Sequence, residues 1–263
     1  MSKALQSDSR VKLSFSGAIA TITLARAEKL NALDMPMILA LQQAALDIEA
    51  QADIRVALLC GEGKAFCAGG DIAAWGGLAP IEMWRSWTRA GHRAFDALAR
   101  LRVPMIAVVG GHAFGGGLEL AATADFIVCE NHVKLGLPEA GLGMVPGWSG
   151  SQRLVRRFGS RAVKHMALTG DMLTASEAYR LGIVDYLTDT DGGSLIALKL
   201  AEKIASRGPI AAQVAKQLIN AAEGEEQSLA FEAIAGAMTA YTQDLAEGVA
   251  AFKGKRPPEF SNS

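Results

Sequence analysis

Residues 105–150, MIAVVGGHAFGGGLELAATADFIVCENHVKLGLPEAGLGMVPGWSG, carry the pattern on which the fold turns. The run from Met105 to Val109 is apolar and rich in β-branched residues, which predicts a buried strand. It stops at Gly110 and Gly111. Three consecutive glycines follow, Gly115, Gly116 and Gly117, and then a helix-forming run with Glu119 in it. A second acid, Glu139, comes twenty residues later, after Pro138, in another glycine-rich loop. Glycine lets backbone approach a ligand closely and take positive φ. Two carboxylates in glycine-rich, mostly apolar surroundings form a candidate acid/base pair, so this stretch is the candidate active site.

The arrangement of strand, glycine turn and helix occurs once more upstream. Residues 55–60 predict a buried strand ended by Gly61-Glu62-Gly63, and the loop KAFCAGGDI, 64–72, follows it. Nearer the N-terminus, 11–15 and 19–24 are strand-like, with Ser16-Gly17 as the hairpin turn between them. A polar loop, 26–31, leads to an amphipathic helix over 35–50 that Asp34 is placed to cap. A helical stretch is predicted over 80–100, ending before Pro104. Beyond the helix at 116–124, residues 126–129 predict a strand. From Ser149 onward the pattern is helical, over 151–158, 162–168 and 175–181, the last capped by Thr174. A short strand at 184–187 precedes helices over 194–206, 210–223 and 229–252. Strands alternating with helices argue an α/β core. The composition shift at Asp191-Gly192-Gly193 divides the chain into an expected catalytic core, 1–193, and a helical C-terminal region, 194–263.

The chain has 263 residues, half of them hydrophobic, enough for a sizeable core in one large domain or two small ones. A net charge of −1 gives no reason to expect a nucleic-acid or anionic-membrane surface. The cysteines, Cys60, Cys67 and Cys129, are odd in number and form no CxxC, so neither a zinc site nor a disulfide framework is expected. The first ten residues, MSKALQSDSR, lack the apolar stretch of a signal peptide, and no run of about 20 apolar residues offers a membrane span. The expectation is a cytoplasmic protein with buried or loop thiols and no membrane or nucleic-acid partner.

The glycine triplet has several readings. A dinucleotide fingerprint also follows a strand, opens a helix and carries an acid further on. Here Leu120 stands where that motif requires its last glycine, and no second nucleotide-binding half surrounds it. No glycine loop is followed by GKS or GKT, so a phosphate-binding P-loop is absent. A tight strand-to-helix turn without function is the plain structural reading. The functional reading is an oxyanion site, because amides at a helix start are unpaired and point at a common spot. The turn Ala68-Gly69-Gly70-Asp71 offers a second donor; read plainly, it is a helix-capping loop with Asp71 as cap. Glu119 lies among Leu118, Leu120, Ala121 and Ala122, and a carboxylate buried there needs a partner or a task. Glu139 by itself reads as a solvated loop acid. Paired with Glu119 and two glycine turns, it reads as half of a site in which one carboxyl holds its proton while the other is ionised.

The remaining candidates are weaker. His92, His112, His132 and His165 show no metal-ligand spacing, and His112 beside the glycine turn reads as a packing residue. Gly147-Trp148-Ser149-Gly150 lacks the spacing of a GxSxG nucleophile elbow. Trp75, Trp84, Trp87 and Trp148 read as core residues, some of them available to line an acyl pocket. Lys253-Gly254-Lys255-Arg256 reads as a solvated tail or a cationic contact for phosphates.

Three segments in this order, AFCAGGDI (65–72), GGHAFGGGLELAATAD (110–125) and LGLPEAGLGMVPGWSGSQRLVRRFG (135–159), resemble the enoyl-CoA hydratase/isomerase, or crotonase, superfamily. ARAEKLNAL (25–33) and AFKGKRPPEF (251–260) fit it too, so the resemblance covers nearly the whole chain. It implies an α/β fold, a right-handed spiral of ββα units with a helical C-terminal region used for trimerisation, in trimers or dimers of trimers. The implied substrate is an acyl-CoA thioester whose oxygen is held by the amides of Gly70 and Gly116. Hydratases in the family carry glutamates at the positions of Glu119 and Glu139, whereas isomerases, dehalogenases and decarboxylases often lack or move one.

The resemblance therefore implies hydration of a 2-enoyl-CoA to a 3-hydroxyacyl-CoA, with Glu119 helping to activate water and Glu139 supplying a proton. A double-bond isomerase or another CoA-thioester lyase is the alternative, and a non-catalytic RNA-binding homologue the more distant one. Implied contacts for CoA are Arg26 and Lys29 near its phosphates or pantetheine, and main chain at Ala68, Asp71, Ile72 and Ala73. Phe252 and Lys255 are implied to reach a neighbouring protomer's CoA. No metal or redox cofactor is implied. The chain departs from the family pattern at Gly147-Trp148-Ser149, where many hydratases have only small residues. Trp148, with Trp75 close to the first oxyanion loop, is expected to narrow or reshape the acyl end of the pocket.

Overall fold

The computed structural model describes residues 8–225 and 227–263. Its strands, in chain order, are β1 (Val11–Ser16), β2 (Ile19–Leu24), β3 (Val56–Gly61), β4 (Ala65–Cys67), β5 (Met105–Val109), β6 (His112–Phe114), β7 (Phe126–Glu130), β8 (Lys134–Gly136), β9 (Leu173–Thr174) and β10 (Tyr186–Thr188). They form two sheets. The larger has the order β1-β2-β3-β5-β7-β10, and the smaller the order β4-β6-β8-β9. β1 is antiparallel to β2; β2, β3, β5, β7 and β10 run parallel.

A repeated unit generates this topology. β3, β5 and β7 each lie in the larger sheet. After each, the chain turns sharply into a short strand of the smaller sheet, β4, β6 and β8 respectively, and then into a helix. Those helices are Ile72–Trp75, Gly116–Ala121 and the 3₁₀ turn Glu139–Leu142. The fold is thus an α/β spiral of ββα units. The short strands leave no periodic trace in the sequence, because two or three residues cannot display an alternation. The smaller sheet is therefore the part that sequence reading missed, taking it for glycine loops.

Burial explains the continuous apolar run of β5. Met105, Ala107 and Val109 face the main core, which also takes Ile22, Leu24, Leu41, Phe66, Leu98 and Leu118. Ile106 and Val108 face the other way, against Val56, Val128, Ala197 and Ala201. A parallel strand covered on both faces has no polar side to show. Ala197 and Ala201 belong to the helix Gly193–Ala205, so that helix is part of the strand-bearing core. The chain clusters into two compact units, one ending at Gln213 and one from Val214 to the C-terminus.

Side-chain caps account for several helix starts. Asp34 caps Met35–Glu49 by accepting from the Met37 N–H at 3.2 Å. Thr174 and Glu177 form a reciprocal capping box on Ala175–Arg180. Two expectations need correction. Residues 80–100 are helical but not uniformly so, because Met83–Thr88 is a π-helical turn ahead of the regular helix Arg89–Ala99. The single helix expected over 229–252 is two, Gln227–Ala240 and Gln243–Gly254. Thr242 caps the second by accepting from the Leu245 N–H at 3.1 Å, a hydroxyl cap that breaks the run where apolar spacing alone suggested continuity. Among the described residues, no helix is long and apolar enough to cross a membrane.

Candidate active site

The parallel order β4-β6-β8 dictates the site. Three neighbouring strands ending at the same edge of a sheet deliver their following segments side by side. Gly70 follows β4, Gly116 follows β6 and Glu139 follows β8. All three line one cleft, together with Glu119, Ala68, Ile72, Trp75 and Trp148. The two glycine turns meet: a Cβ on Gly69 would lie 3.2 Å from the Gly116 nitrogen. Neither the Gly70 nor the Gly116 N–H donates to another described residue, whereas their neighbours do: Gly115 N–H donates to Gly136 O and Asp71 N–H to Leu33 O. The plain reading of the triplet as an idle turn thus leaves two adjacent donors unused at a cleft wall.

Gly115 is required twice over. Its φ is +54°, a region open mainly to glycine, and a Cβ there would come within 2.8 Å of Glu139 Oε1. Gly116 is required for space, since its Cβ would lie 2.7 Å from Cζ3 of the Trp148 ring.

The carboxylates sit in contrasting surroundings. Glu119 is buried on the helix Gly116–Ala121. Its Oε1 accepts from the Trp148 N–H at 2.8 Å, and the Gly150 N–H also donates to this carboxylate. Burial outweighs those bonds, and with the neighbouring negative charge of Glu139 it raises the Glu119 pKa from 4.5 to about 7. Glu139, half-buried at the start of its 3₁₀ turn, is also raised, chiefly by burial. Its Oε2 is buried without a hydrogen-bond partner among the described residues. One carboxylate is therefore gripped by main chain and the other is aimed into the cleft with an unused oxygen. Two acids of raised pKa so close together titrate as a coupled pair. Arg157 anchors the far end of the Glu119 helix by donating to the carbonyls of Ala122, Ala124 and Asp125.

Other predicted residues divide. Trp75 lines the cleft and donates its Nε1–H to Gly70 O at 3.3 Å, and Ile72 is an exposed part of the rim. Asp71 caps its helix through the Ala73 N–H at 3.0 Å. Arg26, mostly covered, pairs with Asp71 at 2.9 Å and Asp34 at 3.4 Å, so its charge is already balanced by carboxylates. Lys29 is exposed. Phe252 and Lys255 lie in the second compact unit, with Phe252 exposed and Lys255 in a left-handed conformation. Trp87 and Trp148 are buried cleft-lining rings with centroids 5.2 Å apart, while Trp84 is exposed. His112 stacks on Phe114 and accepts from the Lys134 N–H, a packing and turn-holding role. The Cys67 and Cys129 thiols are pushed up to about 12 by burial, which leaves them inert.

Sequence reading missed Met83, Thr88, Leu142, Met144 and Val145, which also line the cleft. They are ordinary apolar or small polar residues in helical turns or loops, and nothing in type or spacing marks them. Gly91 did leave a signal, a glycine inside a helical pattern. It makes room for the Trp148 indole: a Cβ at that position would lie 2.1 Å from Nε1.

A spiral of ββα units with paired glycine amides and two carboxyls in one cleft defines a class of enzyme site that can stabilise an oxyanion and move protons. The family model described as enoyl-CoA hydratase/isomerase matches residues 14–263. A probable enoyl-CoA hydratase of Rhizobium meliloti is 39% identical over 94% of this chain and 95% of its own length. A crotonyl-CoA hydratase of Syntrophomonas wolfei is 33% identical over 92% and 94%. Among solved structures, DspI of Pseudomonas aeruginosa superposes with a TM-score of 0.81 at 31% identity, covering 97% of this chain and 98% of that one. An enoyl-CoA hydratase from Bacillus anthracis gives 0.78 at 32%, covering 97% and 100%. The chain belongs to the enoyl-CoA hydratase/isomerase family.

Proposed function

We propose that this protein hydrates a 2-enoyl-CoA thioester to the 3-hydroxyacyl-CoA. The observation that carries the reading is the convergence of Glu119, Glu139 and two unused glycine amides in one cleft. The thioester oxygen accepts from the Gly70 and Gly116 N–H groups, which stabilise the enolate that develops as C3 is attacked. A water held between the carboxylates is the nucleophile. Glu119, ionised and fixed by the Trp148 and Gly150 amides, takes a proton from that water as its oxygen bonds to C3. Glu139, protonated, delivers a proton to C2. Atoms balance: one water adds across one double bond, and no redox or metal cofactor enters. CoA belongs to the substrate.

Main chain at Ala68, the exposed rim at Ile72 and Ala73, and the half-buried Trp75 would contact pantetheine and adenine. Lys29 is the better placed of the two basic candidates for the CoA phosphates, because Arg26 is occupied by aspartates. Phe252 and Lys255 would serve a neighbouring protomer in a homotrimer or dimer of trimers, in the cytoplasm.

The test is direct. Mixing the protein with a short 2-enoyl-CoA bleaches the enoyl-thioester absorbance, and the product gains the mass of one water. A product of unchanged mass assigns isomerisation instead. Glu119→Gln and Glu139→Gln each lower kcat by about 10²–10⁴-fold, the usual worth of a general acid or base. Undiminished turnover in the double variant excludes these roles.

A further inference from the structure

We infer that His92 is a positioning residue for Glu119, acting through Ser149 on the two amides that hold the carboxylate. The helix Arg89–Ala99 turns Gly91, His92, Phe95 and Asp96 to one side, neighbours at helical spacing. Each meets residues 148–153. Gly91 receives the Trp148 indole, and Phe95 packs edge-on against it with centroids 5.3 Å apart. A 3.0 Å hydrogen bond joins His92 Nδ1 and Ser149 Oγ. Arg153 Nη2 donates to Asp96 Oδ1 at 2.7 Å. One helical face thus docks the segment that carries the Glu119 partners.

Ser149 is the strained point of that segment. It is a buried non-glycine residue with φ +79°, in the left-handed region. Its flanking amides, those of Trp148 and Gly150, are the two that converge on Glu119. Among the described residues the Ser149 side chain bonds to His92, while its carbonyl accepts from the Gln152 and Arg153 N–H groups, so the two kinds of contact hold this conformation together. The charged groups nearby are Glu139 and Arg153 around Glu119, and Asp96 and Arg153 around His92. Burial lowers the His92 pKa, which keeps the ring neutral near pH 7. Loss of the ring lets Ser149 relax, withdraws an amide from the carboxylate and raises the Glu119 pKa further, since those bonds favour the ionised form.

The inference that His92 affects turnover rests on the proposed hydration, but its effect on Glu119 does not. The experiment therefore has two readouts in the full-length protein. The first is the ¹³C titration of the Glu119 carboxyl, identified by its loss in Glu119→Gln. The second is the acidic limb of kcat/KM on a short 2-enoyl-CoA. His92→Leu raises the Glu119 pKa by about one unit. It moves the limb by the same amount and lowers kcat about tenfold, with KM nearly unchanged. His92→Asn, which keeps a polar atom near the Nδ1 position, restores both readouts. Ser149→Ala, which removes only the hydroxyl, reproduces the His92→Leu shift and serves if that variant fails to fold. An unshifted Glu119 in His92→Leu or Ser149→Ala, or equal shifts in His92→Leu and His92→Asn, overturns the inference. Absence of turnover in the wild type overturns the hydration reading alone, because the titration still decides the role of His92.

Discussion

A buried carboxyl whose pKa stands at about 7 ties chemistry to stability at Glu119. As a base it must be ionised, so kcat/KM on an enoyl-CoA rises with pH through about 7, and it falls again at higher pH where Glu139 loses the proton it delivers. Stability runs the other way. The folded pKa lies above the ordinary value of 4.5, so the folded state holds a proton that the unfolded chain releases earlier. That contribution is complete below pH 4.5 and is lost as pH rises through 7. Glu119→Gln, neutral throughout, escapes the loss. Denaturant melts at about pH 5 and about pH 8 are expected to show the variant gaining on the wild type by an amount on the order of 3 kcal/mol at the higher pH. Trp148 belongs to the same scale. Its buried ring lies against Gly70 and Gly116, beneath the proposed thioester site. Trp148→Ala opens that floor, and the ratio of kcat/KM for long over short 2-enoyl-CoAs is expected to rise.

At the scale of elements, the helix Arg89–Ala99 acts as a template, and its fit to Trp148 leaves no slack. Gly91→Ala puts a methyl group into the indole and is expected to destabilise the fold by about 1–3 kcal/mol, read from the midpoint of urea unfolding. The elements also show how far sequence reading reaches. β2, β5 and the helix Met35–Glu49 were legible because alternation, a β-branched run and an aspartate cap are local signals. β4, β6, β8 and β9 were not, because their identity as strands lies in the pairing of Ala65 with His112 or Ala113 with Leu135 rather than in composition. The π-helical turn at Met83–Thr88 was hidden for a similar reason: its residues carry ordinary helical propensities. The candidate site was half legible. Glycine turns and acids stand out by type, whereas His92 had only the look of an isolated histidine until the fold set it against Ser149.

For the whole molecule, the spiral of ββα units decides where chemistry can happen, and the C-terminal helices expose apolar side chains. Met238, Tyr241 and Phe252 are 69%, 93% and 86% exposed in the single chain. Apolar exposure of that extent is consistent with an interface between copies. Sedimentation is expected to give three or six protomers, following the oligomers implied by the family resemblance, and Met238→Lys combined with Tyr241→Lys to lower that state. An unchanged mass in the double variant places the interface elsewhere. The sequence by itself determined the alternation of strands with helices, the two glycine turns, the pair of glutamates and, through those motifs, the family. Each is written in residue type or near-neighbour spacing. Only the tertiary structure decided that Gly70, Gly116 and Glu139 share a cleft, that Glu119 is gripped by Trp148 and Gly150, and that Trp148 sits beneath the glycines. Those facts depend on the stacking of β4, β6 and β8, a pairing between segments far apart in the chain that no local pattern encodes.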